Sequence, residues 1–422
     1  MKRQRHNQVQ RLSTPFCVLS LIAMMAFYQS NAIAQSSVRE IDSPAGASSG
    51  EPNLFTAPDG RVFLSWIEAV ANGGHALRFA IRESGKWSSP LSVIESGNLL
   101  ANWADFPSLT MTADGSLVAH WLVKAPADRH AYDINIARST DGGKTWSKPF
   151  TPHRDNTATE HGFVSMLPLR GARVGALWLD GRQFAKAASN NGHDGHGPST
   201  NEMTLRWAAI DKTGEFSEEA VLDARVCDCC QTSAALTSEG PAVVYRDRST
   251  EEVRDISIIR LVKGRWTEPR SIHADGWTIE GCPVNGPSIA ADGKRVAVSW
   301  FTAAKASQRV NVAFSADAGA SFGQPVQVDE GSPVGRVQVQ LLGDGSALVC
   351  WLERTAKGGE IKVRRVRHDG SRDQALTVAV AGVARATGFP RMTRAGEEII
   401  FAWTDASSPS HVRLASLSLR DK

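Results

Sequence analysis

Tyrosine is scarce in this chain, with three in 422 residues. Only Tyr132 and Tyr245 lie beyond the N-terminal segment, which excludes chemistry that needs a phenol late in the chain. Surplus charge of one sign is also lacking. Forty-seven Lys and Arg against 44 Asp and Glu leave +3, too little for a nucleic-acid-binding or polybasic membrane surface. Past the first residues, no run is apolar enough to span a bilayer. Long stretches of helical period are few, while 12 Trp and 36 Gly favour strands joined by tight turns. There are six cysteines, and setting aside Cys17 leaves Cys227, Cys229, Cys230, Cys282 and Cys350. An odd number leaves at least one thiol unpaired.

The beginning of the chain reads as an address. Lys2, Arg3, Arg5 and Arg11 form a basic region, and Phe16 to Tyr28 form an apolar run of signal-peptide length. Ala32-Ile33-Ala34 fits a cleavage signal, so residues 1–34 are expected to be removed and 35–422 to form one exported domain, periplasmic or secreted.

One pattern repeats through that domain: a short strand, a turn with Gly, then an apolar strand closing on an aromatic residue. The closing aromatics are Trp66, Trp121, Trp178, Tyr245, Trp300, Trp351 and Trp403, at intervals of 51–67 residues. Asp-Gly pairs such as Asp59-Gly60 and Asp114-Gly115 mark hairpin turns. A second signature follows several copies. Ser139 to Trp146 fits S-x-D-x-G-x-x-W, and Ser315 to Phe322 fits it with Phe. Shorter versions end at Trp87, Phe216 and Trp266. The Asp can accept bonds from turn N–H groups, the Gly can take positive φ, and the aromatic can plug the gap between sheets.

These segments resemble the Asp boxes (BNR repeats) of the sialidase superfamily. The resemblance implies a β-propeller and an action on, or binding of, glycans at its central mouth. Seven copies predict seven four-stranded blades, with the six blades of known sialidases as the alternative. The last copy has three strands of its own. Ser37 to Ile41 can supply the fourth and close the ring.

Residues before each inner strand, and those after each closing aromatic, should collect at one face. The candidate catalytic residues there are Asp105, Glu160, His161 and Tyr245. Candidate substrate contacts are Arg182, Arg246, Asp247, Arg336 and Arg391, because an arginine fork grips a carboxylate bidentately. The resemblance implies an Asp acid–base and a Tyr nucleophile activated by Glu. Tyr245, however, stands where the repeat places a packing Trp. Glu51 occupies the place of the first sialidase arginine, so little release of sialic acid is expected. His193 and His196, in the longest loop, are further candidates for metal or substrate contact.

Cys227, Cys229 and Cys230 open the fourth repeat, and Cys282 opens the fifth at the matching place. Their sulfurs should converge. Two readings stay open: disulfides between and within the repeats, or a thiolate site for Cu(I) or Zn(II). A non-catalytic module carrying such a metal or redox site, or an interaction scaffold, is therefore the alternative function. Cys350 should be a buried thiol within its strand.

Overall fold

The computed structural model describes residues 38–71, 73–125, 131–185, 202–356 and 358–419. The leader expectation, His193 and His196 lie outside the described residues.

The second strand of each repeat shows why the chain folds as it does. VFLSWIEA (Val62–Ala69), LVAHWLVK (Leu117–Lys124) and VGALWLD (Val174–Asp180) are buried along nearly their whole length. An antiparallel strand that is apolar on both sides must be covered on both faces. The chain achieves this by standing sheets face to face around an axis. Seven antiparallel sheets form seven blades. Their inner strands are Ser49–Thr56, Ser108–Met111, His161–Pro168, Ser233–Leu236, Ser288–Asp292, Ser332–Leu341 and Arg391–Ala395. In the second blade the fourth strand shrinks to a bridge between Ile136 and Phe150.

Val38–Ile41 runs antiparallel to Leu414–Leu417 as the outermost strand of the seventh blade. Chain start and chain end therefore close the ring, as expected; Ser37 lies outside the described residues.

The core is divided into seven apolar clusters, one for each gap between blades. Each closing aromatic enters the gap before its own blade. Trp121, for example, lies with Phe63 and Phe79 of the preceding blade. The aromatics of the second signature do the same. Trp146 meets Phe79 edge-on at 6.2 Å, Phe216 meets Phe150 at 5.8 Å and Trp266 meets Trp207 at 5.1 Å. Replacing one such ring with Ala is expected to cost about 3–5 kcal/mol.

In both full signatures the turn is tied by its Asp. The Asp141 carboxylate accepts from Ser139 Oγ, Thr145 N and Thr145 Oγ1, while Asp317 accepts from Ser315 Oγ, Ser321 N and Ser321 Oγ.

Candidate functional site

At one end of the ring the backbone departs from regular pairing. Glu51, Phe163, Val284 and Arg336 hold φ between 47° and 55°, just before or at the start of the inner strands of blades one, three, five and six. Register shifts accompany three of them, at Gly50/Asn53, Gly162/Ser165 and Gly335/Gln338. Bulges re-aim side chains, and left-handed residues other than Gly cost about 1–2 kcal/mol each. These four residues lie around the mouth of the central channel. The channel holds a cavity of about 240 Å³ lined by all seven inner strands, with Asp105, Gln231, Gln338 and Arg391 among its polar groups.

Asp105 is 2% exposed. Its Oδ1 accepts the Phe163 amide at 2.8 Å, and the Tyr132 hydroxyl also bonds the carboxyl, whose Oδ2 is sealed from solvent. Gly162 makes this packing possible, since a Cβ there would fall 2.0 Å from Asp105 Oδ2 and 2.6 Å from the Tyr132 ring. Burial raises the Asp105 pKa to about 7; the Phe163 amide and Tyr132 hydroxyl work against it, and Glu160 adds to it. Glu51 is raised to about 8 by burial, against the Asn102 backbone and with help from Asp105. Its Oε2 is shielded and has no hydrogen-bond partner among the described residues. Around neutral pH this corner holds acidic groups able to give or take a proton. Burial first, then Asp105 and Glu160, pushes the Tyr132 phenol well up, which keeps it protonated.

Aromatic rings and arginines border this corner. Trp103 stacks on Phe389 at 5.9 Å, and Phe106 touches the same ring. Arg336 lies 5.0 Å from the Trp103 ring centre, and Arg391 lies 4.8 Å from that of Phe106. Burial lowers both guanidiniums to about 10. Their commitments differ. Arg336 donates to the carbonyls of Gly388, Val383 and Ala384, whereas the buried Nε of Arg391 has no partner among the described residues. Arg391 lies in the cavity wall.

The other expected arginines are held by the protein. Arg246 is buried and donates to the carbonyls of Asn285, Arg254 and Phe301, with its guanidinium 4.8 Å from the Trp277 ring centre. Arg182 forks onto Asp180 with two 2.6 Å bonds and reaches Asp155 at 2.9 Å. The sequence shows basic residues at a shared face, but the backbone carbonyls and acids that occupy them come from other repeats.

His161 is brought to this blade-three cluster and away from solvent. It is fully buried, with Nε2 3.2 Å from Asp155, and its ring stacks on His153 at 3.7 Å. Glu160, its neighbour in sequence, bridges to Tyr132 and acts on Asp105. Tyr245 is buried in the gap before blade four and donates to Asp223 Oδ2 at 2.5 Å. Burial, then Asp223 and Asp247, push its phenol far up. It fills the position of a packing Trp and has the opposite character to an activated nucleophile. Asp247 accepts from Ser257 Oγ and the Arg248 amide in the same blade.

Three acids that follow closing aromatics have a structural partner two residues earlier. Trp178 Nε1 donates to Asp180 at 2.9 Å, and Trp351 Nε1 to Glu353 at 2.6 Å; Glu68 receives Trp66 in the same way at 3.0 Å. The W-x-acid spacing was visible in the sequence. Glu51, Tyr132, Trp103, Phe106 and Phe389 were missed as one site, although Trp103 and Phe106 flank Asp105 in the chain.

The four cysteines converge between blades four and five. Cys229 and Cys282 form a disulfide with Cα atoms 6.0 Å apart. The buried thiols of Cys227 and Cys230 touch at 2.6 Å, and Arg254 Nη1 lies 3.5 Å from Cys227 Sγ. The sulfurs of Cys227, Cys229 and Cys230 lie within 4.8 Å of one another and could hold a metal. With Cys229 bonded to Cys282, two thiols remain, short of a tetrahedral thiolate zinc site. Asp155, His161 and Asp180 form another group of that size, but Arg182 already neutralises its acids. Cys350 is a fully buried thiol apart from the cluster, as expected.

No protein-family model matches the sequence, and no curated protein matches it. Among solved structures, the chain is similar to the NanB sialidase from Streptococcus pneumoniae, with 13% identity and a TM-score of 0.45 over 98% of this chain and 72% of that one. It is similar to a PL25 ulvan lyase, with 15% identity and a TM-score of 0.48 over 78% and 81%. The GH93 α-L-arabinofuranosidase of Fusarium graminearum gives 12% identity and a TM-score of 0.47 over 91% and 98%. At these values the likeness assigns no substrate, and the chemistry rests on the site itself.

Proposed function

We propose that this chain acts on a neutral or weakly acidic glycan at the bulged face of the ring, with Asp105 as the group that gives and takes the proton. The observation that carries the reading is Asp105 itself: a buried carboxyl raised to about 7, held by the Phe163 amide and the Tyr132 hydroxyl, with no cation against it among the described residues. Tyr132, Glu160 and Glu51 surround it. The rings of Trp103 and Phe106 offer flat apolar faces beside polar channel groups, which suits a sugar with CH faces and hydroxyl edges. The Asp-box resemblance of the turns supports the same class of ligand.

The arginines narrow that class. With Arg182, Arg246 and Arg336 engaged by the protein, Arg391 is left to meet a ligand acid. A three-arginine grip on a sialic acid carboxylate is unsupported. The test is a panel of fluorogenic exo-glycosides, a sialoside among them, together with an oligosaccharide array. Turnover of a neutral or uronic glycoside that Asp105→Asn lowers by about 10²–10⁴-fold is expected. Absence of both turnover and millimolar binding across the panel would defeat the reading.

A further inference from the structure

The cysteine corner lies outside the site just described and has a chemistry of its own. Its two layers differ in access. Cys282 is exposed and Cys229 half-buried, whereas Cys227 and Cys230 are 1% and 2% exposed. The sulfur of Cys229 joins the layers, within 4.8 Å of both inner sulfurs. The Cys227–Cys230 contact of 2.6 Å is well inside the roughly 3.5–4.0 Å at which unbonded heavy atoms rest.

We propose that Cys227 and Cys230 are a dithiol–disulfide couple, reached from outside by exchange through the Cys229–Cys282 bridge, with small-molecule thiols or protein dithiols as partners.

The exchange balances. An external thiolate attacks Cys282 Sγ, a mixed disulfide forms there, and the electron pair of the broken bond leaves on Cys229. The Cys229 thiolate attacks Cys230 Sγ in the oxidised inner pair, and Cys227 departs as thiolate. A second external thiolate attacks its own partner's sulfur in the mixed disulfide, which frees Cys282. Cys282 then attacks Cys229, restoring the outer bridge and releasing Cys230. In sum, one inner disulfide and two thiols become two inner thiols and one external disulfide. The protons of the external thiols end on Cys227 and Cys230.

The surroundings suit Cys227 as the leaving group. Arg254 Nη1 is 3.5 Å from its sulfur. Burial raises this thiol, but Cys230, the Cys229 backbone, Arg246 and Arg254 outweigh it and hold it at about 7. A thiol of lower pKa leaves faster.

Differential alkylation read by mass spectrometry tests the proposal on the full domain. After equilibration with oxidised glutathione and denaturation, Cys350 should be the sole labelled cysteine among these five. In mixed glutathione buffers, Cys227 and Cys230 should become labelled together while Cys229–Cys282 persists. In the double variant Cys229→Ser/Cys282→Ser, reduction of the inner pair by glutathione should slow at least tenfold. Inner cysteines that stay as thiols under oxidised glutathione would overturn the couple, and a variant reduced at the parent rate would overturn the relay. If the variant does not fold, early trapping of glutathione on Cys282 in the parent protein decides the same point: its presence supports the relay and its absence rejects it.

Discussion

Two acidic corners of the mouth use the same residue types and end in opposite states. In blade three, Asp180 is wholly buried yet accepts from Trp178 Nε1, from the Arg182 backbone and twice from the Arg182 guanidinium. Burial alone would raise its pKa, but Arg182, His161 and Trp178 outweigh that and lower it. At the Asp105 corner, burial wins because no cation among the described residues answers the Asp105 and Glu51 carboxyls. The lesson is that pairing, rather than residue type, separates a structural acid from a reactive one.

The largest expected effect tests the closed corner. Asp180→Ala removes one side of a buried ionic network and strands Arg182, Arg206 and the Trp178 N–H. It should cost about 3–5 kcal/mol in urea unfolding. The pH dependence has a definite sign. For Asp155, burial acts upward, but Thr157, His161 and Arg182 hold the carboxyl at about 2. Depressed acids give stability that is present above pH ~4 and lost as pH falls toward 2. A cost for Asp180→Ala no greater than that of Asp105→Ala would break the comparison.

The open corner should behave in reverse. Glu51 and Asp105 have folded values raised from 4.5 to about 8 and from 3.8 to about 7. A raised acid contributes stability that is complete below its unfolded value and lost as pH rises through the folded one. The parent's melting temperature should therefore fall between pH 5 and pH 9. Glu51→Gln/Asp105→Asn should flatten that fall and gain stability at pH 9 relative to its effect at pH 4, because an amide has no proton to lose. Melting curves with equal slopes for parent and variant would show that these carboxyls are solvated and ordinary.

Much of the ring was legible because its period is simple. Alternating strands, Asp-Gly turns and one aromatic per copy report backbone and packing rules that act locally. The pairing of Val38–Ile41 with the last sheet followed from counting strands. The site was less legible because its partners come from different repeats. Nothing near Arg246 in sequence announces the Asn285 and Phe301 carbonyls that hold it. Asp105 could be named as a candidate acid from its place before an inner strand, but its burial against blade three depends on Gly162 allowing close approach. The cysteines were readable to the level of convergence, since matching positions of adjacent blades must meet. Which sulfurs bond was decided by side-chain direction.

A smaller effect sharpens the comparison at a third acid. Glu353 is 4% exposed and serves Trp351 Nε1 and the Ser332 amide. It has partners like Asp180 but no cation among them. Glu353→Ala should cost about 1–3 kcal/mol, the penalty of leaving a buried N–H unmade. Glu353→Gln should recover part of that, because an amide oxygen can still accept. Equal losses for Ala and Gln in chemical denaturation would mean that charge, rather than the hydrogen bond, matters there.

The smallest effect is expected at an acid that is paired but largely solvated. Asp317 accepts from Ser315 Oγ at 2.7 Å, Ser321 N at 2.8 Å and Ser321 Oγ at 2.5 Å. Its slight burial acts upward on the carboxyl, while the Ser321 and Ser315 bonds hold it at about 2. Water can replace much of this pairing, so the contribution must be discounted relative to Asp180. Asp317→Ala should cost about 0.5–1.5 kcal/mol, the range of net intramolecular hydrogen bonds. Asp317→Asn should cost less, since one amide oxygen can still receive the turn N–H. Because the carboxyl's folded value is depressed, the parent's advantage over Asp317→Asn should be present above pH ~4 and vanish as pH falls toward 2. Phe322 closes the same turn by packing into the gap between blades four and five. A loss at Asp317 above about 3 kcal/mol would mean that the turn sets the Phe322 ring in place, and the solvated acid would then rank with the buried ones.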